Sequence, residues 1–195
     1  MSFHDNPLLQ NDVVRLEPLT MEHADGLRDA VRDGELWKAW YTFPPRPEKV
    51  EADIERRLSL QSKETMAPWT IVDSASGRIV GQTTFMNINA LNRRVEIGST
   101  WLAASTHGTR INPATKLLLL TRAFEELDCI AVEFRTHWHN RQSRAGIEKL
   151  GAKLDGVLRN HEIMTGGQMR DTVVYSILPG EWPTVKLGLE HRLQG

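Results

Sequence analysis

Four consecutive leucines, Leu117 to Leu120, follow directly on STHGTRINPATK (residues 105–116), and Ala123, Phe124 and Leu127 continue the apolar run. A helix apolar over so much of its circumference has no solvent face, so it must be packed, and a sheet is the partner that covers it. Its start is also marked. Asn is among the strongest N-cap residues and Pro is favoured at the first helical position, so Asn112 and Pro113 predict the helix start. A first turn leaves N–H groups unpaired and carries the positive end of the macrodipole. With Arg110 and Lys116 beside it, this turn is suited to an anion. A plain helix start is the alternative reading.

The chain has 195 residues, 40% hydrophobic and 25% charged, which suits one globular domain over residues 1–195 with a sizeable core. Twenty-four basic against twenty-five acidic residues leave a net charge of -1 with no strong block of either sign, so nucleic acid and membranes are not expected partners. Any anion site is therefore local. Cys129 is the single cysteine and lies in the apolar context LDCIAV, which reads as a small core residue with no internal disulfide. The start MSFHDNPLLQ lacks a signal peptide's basic-then-apolar order, and no apolar run reaches the ~20 residues of a membrane span. A cytoplasmic protein is expected.

VVRLE (13–17) alternates as a first strand, and Thr20 caps an amphipathic helix carrying Met21, Ala24, Leu27, Ala30 and Val31. Val50, Ile54 and Leu58 recur every four residues in a second helix begun by Pro47. WTIVD and RIVGQTTF flank the turn SASG as a hairpin, and RRVEIGSTWL is its antiparallel partner and the fourth strand. After the leucine helix come the strand AVEFRTHW and the helix NRQSRAGIEKLG, with Asn140 at its N-cap and Gly151 just past its end. Two strands near 153–159 and 171–177 and an amphipathic segment through Val185, Leu189 and Leu193 close the chain. Hairpins followed by strand, helix, strand imply a mixed sheet with helices on its faces.

That order, together with EIGSTWL, HGTRIN, NRQSRAGIEKLGA, LDGVLRNH and RDTVVYSIL, resembles the GNAT superfamily of acyl-CoA-dependent N-acyltransferases, in the branch that acetylates the N-termini of ribosomal proteins. The resemblance spans nearly the whole chain. It implies an α/β (α+β in some schemes) fold: a twisted, mostly antiparallel sheet of about seven strands, helices on both faces, and strands 4 and 5 splayed. It also implies acetyl-CoA as co-substrate, with no metal. The segment from His107 would bind the CoA pyrophosphate through main-chain amides, in a pattern usually written Q/RxxGxG/A. Here His107 holds the first position, Arg110 and Asn112 stand where the glycines would be, and Gly108 falls between. Glycine there permits positive φ and close approach to phosphate. Asn tolerates the left-handed region, and Arg supplies a guanidinium suited to phosphate. The cofactor set so implied is His107, Gly108, Thr109, Arg110, Ile111 and Asn112 for the diphosphate, with main-chain groups of Trp101, Leu102 and Ala103 for the pantetheine arm.

Acyl transfer needs a free amine. A lysine amine at ~10.4 costs roughly 4.6 kcal/mol to deprotonate at neutral pH, and an α-amine at ~7.7 to 8.0 only about 1, so an α-amino acceptor asks less of a base. Glu96, on the central strand and sharing a face with Gly98 and Thr100, is the candidate base; the alternative is an ion pair with Arg94 or another cross-strand cation. Many enzymes of the superfamily protonate the thiolate with a Tyr whose position is Ile147 here, in GIEK. The resemblance instead assigns NxxS, with Ser143 facing the sulfur and Asn140 a cofactor amide, against the simpler roles of N-cap and first-turn residue. Trp37, Trp40, Tyr41 and Phe43, in the connection between the first two helices, either line the acceptor cleft or plug the core. His137 and His139 alternate on one strand face without a third metal ligand.

The function so read is N-acetyl transfer from acetyl-CoA to a primary amine, a protein N-terminal α-amine or a small amino compound, by direct attack in a ternary complex. Cys129 has no visible activating partner, which argues against a covalent intermediate. The partners are a CoA thioester and an amine acceptor, with a homodimer left open. The loss of both glycines and the Tyr favours the rival, a non-catalytic CoA-binding sensor or partner-binding module on the same fold.

Overall fold

The computed structural model describes residues 2–194, and β1 (Leu9–Gln10) and β2 (Val14–Pro18) open the chain. β1 is too short to leave a sequence signal, and it makes the sheet eight strands among the described residues, one more than expected. Thr20 is extended and begins a 3-10 turn, Met21–His23, in which the His23 Nδ1 accepts the Thr20 N–H at 3.2 Å; α1 (Ala24–Arg32) follows. Pro47 opens a second 3-10 turn that runs into α2 (Val50–Ser62). Then come β3 (Met66–Asp73), β4 (Ile79–Asn89) and β5 (Arg94–Leu102), followed by α3 (Ile111–Thr121) and a π-helical turn over Arg122–Glu126. β6 (Ala131–His137), α4 (Arg141–Leu150), β7 (Lys153–Ile163), β8 (Met169–Ile177) and α5 (Trp182–Gln194) complete the order.

The sheet runs β1-β2-β3-β4-β5-β6-β8-β7, and every neighbouring pair is antiparallel except β5 with β6. Two apolar clusters fix which helix covers which face. Leu27, Ala30 and Val31 of α1 and Val50 and Ile54 of α2 bury with Trp101 and Ala103. On the other face, Ala114, Leu119 and Leu120 of α3 pack with Ile147 and Leu150 of α4 and Val185 and Leu189 of α5, over Leu16, Trp69 and Phe85. The leucine helix is thus sandwiched between sheet and α5, as an apolar circumference requires.

Two register shifts between β4 and β5 shape the centre. Gln82 pairs with Trp101 and Thr84 with Gly98, so β5 carries one extra residue there, and Ser99 takes φ 49°. Met86 pairs with Glu96 and Asn89 with Arg94, so here the extra residue lies on β4, where Asn87 takes φ 48°. Such bulges bend a strand and re-aim its side chains.

Candidate active site

β5 and β6 pair at Arg94↔Ala131, Val95↔Val132 and Glu96↔Glu133, and no residue further along pairs. Both strands continue, β5 to Leu102 and β6 to His137, so they part into a V whose vertex is the Glu96 and Glu133 pair. The bulge at Ser99 turns β5 away. Arg57 of α2, 1% exposed, holds that turn with bonds to Thr84 Oγ1 (2.8 Å) and Ser99 Oγ (2.9 Å), while Asp53 accepts from its Nε at 2.7 Å. Gly81 keeps β4 close, since a Cβ there would stand 2.1 Å from the Trp101 carbonyl oxygen. The V opens into a cavity of about 1010 Å³ bordered by Glu96, Thr100, Lys116, Phe134, His137 and Ser143. It reaches the sheet face of the 34–44 connection as well as the α3 and α4 face.

At the open end the helix starts two residues earlier than Asn112 and Pro113 predict. Ile111 is the first helical residue and Arg110 the N-cap, with no side-chain cap bond; Asn112 is second, and Pro113 sits in the first turn, where its missing N–H costs nothing. Gly108 has φ +77° and open space around its Cβ direction, so the one glycine of the turn does supply a left-handed residue. Among the described residues no acceptor meets the amides of Gly108, Arg110 or Asn112, whereas the His107 N–H donates to Ala104 O at 3.0 Å and the Thr109 N–H to Thr106 O at 3.3 Å. The side chains divide differently. His107, Gly108 and Asn112 border the cavity, while Ile111 is buried in the core. Thr109 bonds back to Thr106 O at 2.7 Å, and the Arg110 guanidinium donates to Leu193 O at 3.1 Å, near the carbonyl end of α5.

Trp101 and Leu102 border the cavity. The Trp101 Nε1–H donates to Gln82 Oε1 at 3.2 Å, and His107 Nε2 donates to Leu102 O at 3.0 Å. The amide of Ala103 is already paired with Val80 O at 2.8 Å, so the expectation of a free donor at that residue is corrected. The β5 edge from Gly98 to Trp101 is the stretch that faces the gap without a strand partner.

Glu96 stands at the vertex, 5% exposed, accepting from Asn87 Nδ2 at 2.7 Å and lying 3.5 Å from Arg135 Nε. Burial pushes its carboxyl above the ordinary range, against the Asn87 bond and Arg135. Arg94 belongs to Glu133, which also takes both Arg135 donors; burial alone would raise Glu133, but the two guanidiniums hold it below the usual range. The cross-strand cation near Glu96 is therefore Arg135. Gly98 makes room for the carboxylate, since a Cβ there would lie 2.7 Å from Glu96 Oε1.

On α4, Asn140 caps the helix by accepting the Ser143 N–H at 3.0 Å, and Gly151 ends it in the left-handed conformation, as the sequence predicts. Both Asn140 and Ser143 also border the cavity, so the cap and the lining roles coexist. Ile147 does so too, 8% exposed. Lys116 is not a solvated cation beside the helix start: it is 6% exposed, its Nζ donates to Thr100 Oγ1 at 3.2 Å, and burial lowers it to about 7.

The four aromatics separate. Tyr41 and Phe43 border the cavity, and Trp37 packs on the α1 and α2 core. Trp40, 59% exposed, stands over His137 and His139 with centroids 5.2 and 5.4 Å apart. His137 is buried, and its Nδ1 accepts the His139 N–H at 3.0 Å, which leaves its proton on Nε2; burial first, then Arg170 and His139, lower its pKa. Among the described residues no three His, Cys, Asp or Glu side chains cluster to hold a metal. Cys129 is buried and its thiol is pushed up to about 12, chiefly by burial, so it is not a nucleophile at neutral pH. Sequence reasoning missed Asn87, Arg135 and the burial of Lys116. Gly98 in β5 hinted only at crowding beside Glu96, since a Cβ there would meet Glu96 and Met86.

A split parallel strand pair, a bulge beside it and a helix N-terminus at its open end are shared with a known class. Residues 14–153 match the acetyltransferase (GNAT) domain, and the chain belongs to that family. It is 35% identical over 106 residues to the "Putative ribosomal N-acetyltransferase YdaF" of Bacillus subtilis, a match covering 54% of this chain and only 57% of that relative. Among solved structures it resembles a "putative acetyltransferase" from T. thermophilus (31% identity, 97% of this chain and 98% of that one, TM-score 0.84). A GCN5-related N-acetyltransferase from Brucella melitensis is also similar (25% identity, 96% and 85%, TM-score 0.85).

Proposed function

We propose that the protein transfers an acetyl group from acetyl-CoA to a primary amine by direct attack in a ternary complex. The observation that carries this reading is the V between β5 and β6, whose unpaired β5 edge suits an amide-bearing arm and whose mouth meets the unpaired amides of Gly108, Arg110 and Asn112. The diphosphate rests on those amides and the helix N-terminus. The pantetheine arm lies along Gly98 to Trp101 as a substitute strand. The arm ends near the vertex, where a β5 N–H polarises the thioester carbonyl as the oxyanion forms, an effect worth ~3 kcal/mol per donor.

Glu96, its carboxylate made more basic by burial, takes the proton from the incoming amine directly or through water. Ser143 donates to the departing sulfur, and Asn140 presents its amide nitrogen to the arm. The acceptor enters over Tyr41 and Phe43. The similarity to a ribosomal N-acetyltransferase favours an α-amine on a protein, and the deprotonation cost argues the same way.

Thiol release from acetyl-CoA with peptides, amino acids and polyamines as acceptors tests the reading. Turnover is expected with peptides bearing a free α-amine and lost when that amine is blocked. CoA binding in a thermal-shift titration without turnover on any acceptor would instead establish the rival, a CoA-binding module.

A further inference from the structure

Lys116 has no role in the proposed transfer, yet its setting is unusual. Its Nζ projects from α3 into the gap, with Thr100 of β5 as its hydrogen-bond partner and the Phe134 ring of β6 at 6.0 Å. The two residues belong to the two strands that part, so the amine lies between the arms of the V. A lysine is almost never fully buried without a paired charge. Here no carboxylate offsets the burial: Thr100 Oγ1 is itself bonded to Thr83 Oγ1 at 2.8 Å, and desolvation alone depresses the amine. The other titratable groups bordering the cavity from neighbouring elements are Glu35, Lys38 and Tyr41 in the 34–44 connection, Glu96 on β5, His107 before α3, Arg135 and His137 on β6, and His161, Glu162 and Arg170 on β7 and β8. None of them contributes to the depression.

We propose that Lys116 is a self-acylation site: in the absence of an acceptor, its amine takes the acyl group from the CoA thioester lying in the same gap. The inference rests on the gap being the thioester's path, as the proposed function has it. Nζ attacks the thioester carbonyl carbon, the C–S bond breaks, and the sulfur leaves as thiolate and takes up the proton that the nitrogen sheds. The products are an Nε-acyl amide on Lys116 and free CoA. No oxidant or further reactant is needed. The reactive form is abundant, since an amine near 7 is about three-quarters free base at about pH 7.5, against about a thousandth for an ordinary lysine. The amide would then stand in the gap that the arm occupies beside Thr100, so acylation closes the site to further cofactor. An amine acceptor, by consuming the thioester, protects it.

The test is mass spectrometry of the full chain incubated with acetyl-CoA and no acceptor, with peptide mapping and a parallel thermal-shift titration with CoA. One acetyl group is expected on Lys116, forming about a hundredfold faster than on exposed Lys63 or Lys149, which lie outside the cavity. The rate should rise between about pH 6 and pH 8, and adduct at this position should vanish in Lys116→Arg and Lys116→Met. CoA binding with no acetyl on Lys116, or labelling there no faster than on the exposed lysines, overturns this inference and leaves the transferase reading standing. Absence of CoA binding overturns both. The decisive readout is on the natural chain, so a poorly folded variant does not blunt it.

Discussion

Glu96 is the residue on which chemistry and stability pull in opposite directions. Its carboxyl titrates above the ordinary range because burial penalises the ion. A raised carboxyl binds its proton more tightly in the folded than in the unfolded chain, so folding stability falls as pH rises from the ordinary carboxylate value through the raised one. The ionised group is therefore a stability cost at neutral pH that the proposed proton-accepting role requires. Glu96→Gln is expected to melt at the same or higher temperature at neutral pH, since its amide oxygen still accepts from Asn87, while kcat/KM drops about a hundredfold to ten-thousandfold. The acid limb of the pH–rate profile in the natural protein should lie above the ordinary carboxylate range and disappear in the variant. Calorimetry and steady-state kinetics on the pair read both effects. An unchanged rate would return Glu96 to the part of a buried partner for Arg135.

Between elements, the site depends on two junctions. The start of α4 serves both helix and cavity: Asn140→Ala removes the bond to the Ser143 N–H and is expected to cost about 1 kcal/mol in denaturant unfolding. Asn140→Asp keeps the cap but not the amide nitrogen. A CoA affinity that stays low in the Asp variant would separate cofactor contact from helix geometry. The second junction is where β4 and β5 close up beside the bulge. Gly81→Ala would push a Cβ into the Trp101 carbonyl oxygen, a main-chain atom that cannot rotate aside, so the strands must shift. A loss of about 1–3 kcal/mol is expected, with weaker CoA binding because the bulge that opens the V moves with it. Chemical denaturation and a binding titration on this variant check the claim.

Across the chain as a unit, the parted strands leave polar main chain and a buried lysine in a cavity that a cofactor would fill. Ligation should therefore appear as stability. CoA at about a hundredfold over its Kd is expected to add ~2.7 kcal/mol, which for a chain of this length raises the melting temperature by about 5–11 °C. Free ATP or NAD, which share the diphosphate but not the arm, should give a smaller shift. An equal shift from all three would mean that the helix N-terminus is occupied and the V is not.

Much of this architecture was legible along the chain because its signals are local. The leucine run required a packed helix, SASG between two alternating segments required a hairpin, and Asn140 and Gly151 bounded α4. The segment around HGTRIN does lead into α3, although the helix begins at Ile111, because a proline tolerated anywhere in a first turn marks its start only within a residue or two. What the linear order could not hold is whatever depends on residues distant in sequence. Asn87 reaches Glu96 through a one-residue bulge, and Arg135 arrives from the neighbouring strand. Arg110 is drawn away from the turn by a carbonyl of α5, and burial lowers the Lys116 amine to about 7. Periodicity and capping, both written in the order of residues, were enough to settle which of the longer helices and strands form and how they follow one another, though not the two-residue β1. Which groups are desolvated and which face the gap was settled by packing, because electrostatic cost depends on everything within a few ångströms and not on neighbours along the chain.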